Sequence, residues 1–210
     1  MNPLTPFDAR RAALVLIDLQ QYVLARTWTP HSSETVLLNS VALAKAVRAA
    51  GGCTIFVRVD FDAAGRDRLS LPVDFGPPGP IPSPESSGFH SEIAALQPDI
   101  VIVKRQWSAF YGTELDLQLR RRNISHIFLV GLATNFGVES TAREAWQGNY
   151  SVTLVEDATS SVGNYHEFAV KNIFPHISQV KSTQEVLASL RSLPSDGLLA
   201  REGRSNDESK

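Results

Sequence analysis

Six short apolar runs recur along the chain, each followed by a polar turn: AALVLID at 12–18, CTIFVRV at 53–59, DIVIVK at 99–104, HIFLVG at 126–131, YSVTLVED at 150–157 and HISQV at 176–180. They are nearly continuous in apolar residues instead of alternating, the pattern of strands buried on both faces of a parallel sheet. The segments between them have helical spacing. In SSETVLLNSVALAKAVRAAGG, Val36, Leu37, Ser40, Val41, Ala44 and Val47 stack on one side, and Gly51-Gly52 stop the helix. Residues 113–123, 135–149, 164–174 and 183–193 read as further helices, the last capped by Ser182 or Thr183. Parallel strands need right-handed crossovers, so strands alternating with helices predict an α/β fold with a doubly wound sheet and helices on both faces.

One connection breaks this rhythm. Residues 60–89 carry Pro72, Pro77, Pro78, Pro80, Pro82 and Pro84 and no clear period. A loop of that length is expected to be a lid, a subunit contact or disordered. The 210 residues suit one domain, with a polar, mobile tail at 194–210. A formal net charge of -2 leaves no electrostatic footprint for nucleic acid or an anionic membrane surface, so the expected partner is a small molecule or another copy of the chain. Cys53 is the single cysteine, which excludes an internal disulfide framework and fits a reducing compartment. With no signal-peptide pattern and no apolar run of about 20 residues, the expected location is the cytoplasm.

In open parallel sheets the ligand crevice lies beyond the carboxyl ends of the strands. Asp18 closes the first apolar run, Asp60 follows the second, Lys104 and Arg105 close the third, Thr134 and Asn135 follow the fourth, and Glu156-Asp157 end the fifth. Taken singly, Asp18 reads equally as a helix cap and Lys104 as a snorkelling surface residue. Cys53 opens its strand, roughly 20 Å from the crevice end, so it reads as a buried apolar residue and no nucleophile. His31, His90, His126, His166 and His176 are scattered, with no pair at i, i+4 beside a carboxylate, and neither metal nor cofactor is expected.

The blocks ALVLIDLQ, KRQWSAFYGTELDLQLRRRNI, VGLATNFGVESTAREA and LVEDATSS, in that order over residues 10–192, resemble the isochorismatase-like (cysteine hydrolase) family. The resemblance implies a three-layer α/β/α fold with a six-stranded parallel sheet, assembled into homo-oligomers. It also implies an aspartate, a lysine and a cysteine at the site. The first two fall on Asp18 and Lys104, whereas the cysteine column falls on Gly137. A cis peptide at Leu132-Ala133 belongs to the same pattern, aiming the amides of Ala133 and Gly137 at an oxyanion or carboxylate pocket.

Glycine has no thiol, so the covalent route is closed. Isochorismatases in the family also lack the cysteine: their aspartic acid protonates an enol carbon and water adds to the oxocarbenium ion. The expected function is hydrolysis of a small, anionic, carboxylated substrate, a vinyl ether among the candidates, by acid/base catalysis on Asp18 with Lys104 as electrostatic partner. Two alternatives stand: a catalytically silent member that binds a small anion or acts as an oligomeric scaffold, and an amidase with an unconventional nucleophile such as Ser140 or Thr141. Arg58 and Arg105 are candidates to hold a substrate carboxylate or are surface residues. Asp60 would repel such a carboxylate. Trp107 and Phe110 wall the crevice or belong to the core. Histidines after the second strand, as in nicotinamidase-type metal sites, have no counterpart in VRVDFDAAGRDRLS. For Asp18, Lys104 should lower the pKa and burial should raise it, and the sequence leaves that balance open.

Overall fold

The computed structural model describes residues 3–75 and 79–192. Its six strands are β1 (Ala12–Ile17), β2 (Cys53–Val59), β3 (Ile100–Lys104), β4 (His126–Leu132), β5 (Ser151–Ser160) and β6 (Gln179–Lys181). They pair in the order β3-β2-β1-β4-β5-β6, parallel throughout. The helices are α1 (Gln21–Leu24), α2 (Ser33–Ala49), α3 (Ser91–Ala94), α4 (Leu115–Arg121), α5 (Glu139–Gln147), α6 (Tyr165–Asn172) and α7 (Thr183–Arg191). The expected doubly wound α/β architecture is present. The single turns α1 and α3 carry too few residues to show a period, which is why spacing does not reveal them.

Strand geometry explains the layers. Successive strand side chains point to opposite faces, so β1 sends Leu14 and Leu16 toward one face and Ala13, Val15 and Ile17 toward the other. The first set packs with Val36, Leu43 and Val47 of α2, Ile93 of α3 and Val186 and Leu190 of α7. The second packs with Leu115 and Leu119 of α4, Ala142 and Ala145 of α5, and Ala169 of α6. Each fully buried Leu, Ile or Phe contributes about 1.5–3 kcal/mol, so this two-sided core is the main stabilising term. At α7, Ser182 is the cap: its hydroxyl accepts from the Glu185 amide at 3.3 Å, and the Glu185 carboxylate accepts from the Ser182 amide at 2.8 Å.

The strand boundaries depart from the apolar runs in two places. His176 lies in a turn at Phe174–His176, and β6 begins only at Gln179. β5 continues past Asp157 to Ser160, because its pairing with β4 breaks step: Leu129 faces Leu154, but Gly131 faces Thr159. Asp157 then turns to α7, accepting from the Thr183 amide and hydroxyl, each at 2.7 Å.

The long connection forms neither helix nor strand over its described part, residues 60–75 and 79–89. Pro77 and Pro78, like the tail expected to be mobile, lie outside the described residues. Its two ends are tied to the exit of β1 by the buried side chain of Gln20. The Gln20 amide nitrogen donates to the Val59 carbonyl at 2.9 Å and to the Ser87 carbonyl at 2.5 Å, and its oxygen accepts from the Val59 amide at 2.9 Å. Leu69, Leu71, Val73 and Phe75 face solvent in the single chain.

β4 approaches β1 most closely at Gly131. Its φ is 114°, and a Cβ there would lie 2.1 Å from the Ile17 carbonyl oxygen. Gly131→Ala should therefore destabilise the fold by more than about 1 kcal/mol. The measurement is the urea midpoint at constant m-value, and a midpoint equal to the parent's would refute the close-approach argument.

Candidate active site

The sheet order reverses between β1 and β4, and the crevice of such a sheet opens at that point. Asp18 stands at the β1 exit in a left-handed conformation, φ 54°, which Asp tolerates better than most residues. Its amide donates to the Val57 carbonyl at 3.0 Å. Lys104 ends β3, two strands away and roughly 10 Å across the sheet at about 4.8 Å per strand. Only a long side chain spans that gap. The Lys104 Nζ reaches Asp18 Oδ2 at 2.7 Å and donates to the Trp107 carbonyl at 2.7 Å.

The pair is deeply buried: the side chains of Lys104 and Asp18 are 1 % and 11 % exposed. Lys104 is thus no snorkelling surface residue. Two opposed effects act on the Asp18 carboxyl. Burial pushes its pKa up and the ammonium pulls it down; burial is the larger, so the carboxyl titrates above its ordinary value of 3.8. The two oxygens also differ. Oδ2 is held by Lys104, whereas Oδ1 is buried and has no hydrogen-bond partner among the described residues.

β4 supplies the third component. The Leu132-Ala133 peptide is cis, and residues Thr134–Val138 form a widened turn whose Val138 amide reaches back five residues to the Ala133 carbonyl at 3.3 Å. Such turns recur at functional sites. Gly137 is the residue that faces the ion pair. A Cβ there would lie 3.0 Å from Lys104 Nζ, 3.1 Å from Ile17 Cγ2 and 3.3 Å from Asp18 Oδ2. The Thr141 hydroxyl donates to the Gly137 carbonyl at 2.6 Å and accepts from the Ala109 amide at 3.0 Å, so it is committed to holding the main chain.

The other expected residues divide. Trp107 packs edge-to-face on Phe136 with centroids 5.0 Å apart, next to Gly137, and both rings are partly exposed. Phe110 instead packs with Tyr150, centroids 6.0 Å apart, on the α4–α6 side of the core. Arg58 pairs with Asp60 at 2.9 Å and Arg105 with Asp67 at 2.6 Å. Both guanidiniums expected to meet a substrate carboxylate therefore already meet one from the protein, and Asp60 is no bare charge. The Asn135 side-chain oxygen accepts from the Ser161 hydroxyl, which anchors the turn to the end of β5. Cys53 opens β2, and burial pushes its thiol up to about 11.

Sequence reasoning overlooked Tyr22 and Phe136. Tyr22 lies four residues after Asp18, and burial, followed by the Asp18 charge, pushes its phenol up to about 12. Phe136 sits inside the turn block itself and is the ring that Trp107 meets. The histidines, scattered along the chain, are not all scattered in space. His31, Glu156 and His166 bring one ligand atom each to within 4.8 Å of one another. Their separations along the chain exceed any helical motif, so only the fold reveals them. By contrast, the groove of about 270 Å³ lined by Ala44, Lys45, Arg48, Ala49 and Leu96 runs along the end of α2, at the opposite edge of the sheet from the strand exits.

The sequence model of the isochorismatase domain matches residues 12–185, which contain every component of this site. The chain belongs to the isochorismatase family. Among curated isochorismatase-family proteins it is 42 % identical over 185 residues to YecD of Escherichia coli O157:H7, covering 87 % of this chain and 98 % of that one. It is 30 % identical over 186 residues to the ureidoacrylate amidohydrolase RutB of Variovorax paradoxus, covering 74 % of this chain and 71 % of that one. Among solved structures, an isochorismatase family protein from Burkholderia thailandensis superposes with a TM-score of 0.84 at 41 % identity, covering 90 % of this chain and 98 % of that one. Among the described residues, no helix is long and apolar enough to cross a membrane.

Replacing Lys104 by Met keeps much of the stem and removes the ammonium. Burial then acts on Asp18 unopposed, and its folded-state pKa rises further above the unfolded value of about 3.9. Relative to the parent, the variant should lose stability as pH rises from the unfolded pKa through the folded one, by about 3–5 kcal/mol once the uncompensated charge forms. Urea midpoints of both proteins across the acid to neutral range test this, and a loss independent of pH would contradict it.

Proposed function

We propose that this isochorismatase-family protein hydrolyses a small carboxylated substrate of the enol-ether type by acid catalysis, without a covalent intermediate. The observation that carries the reading is the inequality of the two Asp18 oxygens. Lys104 engages Oδ2, which leaves Oδ1 as the atom able to carry a proton in a buried place that disfavours its charge. In the reaction, Asp18 Oδ1–H gives its proton to the enol carbon, and water adds to the oxocarbenium ion. The resulting hemiketal collapses to a ketone and an alcohol, and a proton from the added water restores the acid. Lys104 stabilises the Asp18 carboxylate formed in the first step. The amides of Ala133 and Gly137 hold a substrate carboxylate, and Trp107 with Phe136 forms an apolar wall beside it.

The small carboxylated substrate class is also supported by the name of the relative RutB, an amidohydrolase of ureidoacrylate. An amide route of the thiol kind has no sulfur at position 137, and the Thr141 hydroxyl is occupied by main-chain bonds. In an assay against isochorismate and related enol ethers, Asp18→Asn should lose about 10²–10⁴-fold in turnover, the usual contribution of a positioned acid. Asn also tolerates the left-handed backbone at this position. Because the protonated form works, kcat/KM should be full at low pH and decline as pH rises through the Asp18 pKa, which lies above 3.8. Activity undiminished in Asp18→Asn would end the proposal.

A second reading, a silent family member that binds a small anion, is favoured by one observation: the volume next to the ion pair at position 137 has no side chain. Gly137→Cys discriminates the two. Its Cβ needs the Lys104 ammonium, the Ile17 methyl and the Asp18 carboxylate each to yield by a few tenths of an ångström, and all three are side-chain ends. If the parent turns over no enol ether or amide and the variant gains amidase activity with an acyl-enzyme trapped at Cys, the silent reading holds. Loss of enol-ether hydrolysis in the variant supports the acid mechanism.

A further inference from the structure

We propose that His31, Glu156 and His166 form a binding site for one divalent transition-metal ion, zinc in the first instance, with a further position open to water. The three donors come from different parts of the fold. His31 precedes α2, Glu156 lies where β5 breaks step with β4, and His166 is in the first turn of α6. Such a break re-aims side chains, and here it turns Glu156 toward the two rings.

One of the two separations is a hydrogen bond and the other is not, while both suit donors that share an ion. His31 Nε2 lies 3.1 Å from Glu156 Oε2, and His166 Nε2 lies 3.7 Å from the same oxygen. The second separation is too long for a hydrogen bond. Four donors bound tetrahedrally at about 2.0–2.1 Å stand about 3.3–3.4 Å from one another, between the two observed values. The rings of His31 and His166 are nearly perpendicular, 85°, with centroids 5.3 Å apart, so their nitrogens converge without the rings stacking.

The surroundings orient the donors. His166 Nδ1 is 2.8 Å from the Thr134 hydroxyl. When Nδ1–H donates to that oxygen, the lone pair of Nε2 points at the Glu156 carboxylate. Lone pair and carboxylate repel unless a cation or a proton lies between them. A metal-bound histidine with its other nitrogen fixed by a hydrogen bond has this arrangement. The His31 backbone is itself tied to the end of β5, its amide donating to the Ser160 hydroxyl at 3.2 Å.

Two imidazoles and one carboxylate are the donor set of a borderline ion and not of calcium or magnesium, which take oxygens. His166 is buried, whereas the side chains of His31 and Glu156 are 24 % and 33 % exposed. The open side allows a water as fourth ligand, as in three-ligand zinc sites. The position differs from that of nicotinamidase-type metal sites, whose histidines follow the second strand. Thr134 opens the turn that contains Gly137, so an ion at this place would hold that turn from behind.

The test uses the full chain without an affinity tag, stripped with chelator and titrated with zinc by calorimetry, and with cobalt by visible absorption. One ion per chain is expected, with the intense cobalt bands of a tetrahedral centre. His31→Ala, Glu156→Gln and His166→Ala should each weaken binding at least about tenfold, and Thr134→Val about tenfold by releasing the ring of His166. His90→Ala is the control and should bind as the parent does. Since His166 is buried and its variant could misfold, the partly exposed His31 and Glu156 variants decide. Substoichiometric binding, or affinity unchanged in both, would overturn the proposal. The readout is metal binding, so it stands or falls independently of enol-ether hydrolysis.

Discussion

The buried pair of Asp18 and Lys104 is the interaction around which the rest of this structure is arranged. Taking both charges out of water costs several kcal/mol per ion, comparable with the gain from burying two or three large core side chains. The pair therefore persists because the sheet imposes it and not because it stabilises the fold. β2 lies between β1 and β3, so the ammonium crosses above β2 to reach the carboxylate. The apolar layers on both faces supply the stability that offsets this placement.

Position 137 determines what such a pair can do. A side chain there would press on both members of the pair. With glycine, they meet directly. One oxygen of the carboxyl is held by a cation, and the other has no hydrogen-bond partner among the described residues.

The turn carrying Gly137 lies between two polar arrangements. On one side is the ion pair. On the other, Thr134 contacts His166, and Asn135 contacts Ser161 at the end of β5. The break in step between β4 and β5 makes this second arrangement possible, since it frees Glu156 and Asp157 from the regular ladder. Asp157 then binds Thr183 at the start of α7, and Glu156 meets the two histidines. On the opposite side of β1, Gln20 closes the ends of the proline-rich connection against the crevice.

How far the sequence went follows from the range of the forces involved. The continuous apolar runs specify strands buried on both faces, and helical spacing between them specifies a doubly wound sheet, because periodicity is a local property. The residues at the strand exits, Asp18 and Lys104 among them, were legible for the same reason, and so was the place of Cys53 at the far end of its strand, although its side chain is only partly buried there. Short turns such as α1 and α3 were not, since four residues carry no period. Nor was the sense of the Asp18 shift, which depends on how much water two layers of helices exclude. Phe110 and Arg105 contact Tyr150 and Asp67 across distances along the chain that no motif spans, whereas Arg58 pairs with Asp60 only two residues on. His31, Glu156 and His166 are the extreme case. The sequence alone determined which strands end in charge; the tertiary structure alone decided which of those charges meet, because a pair separated by tens of residues is brought together only by the order of strands in the sheet.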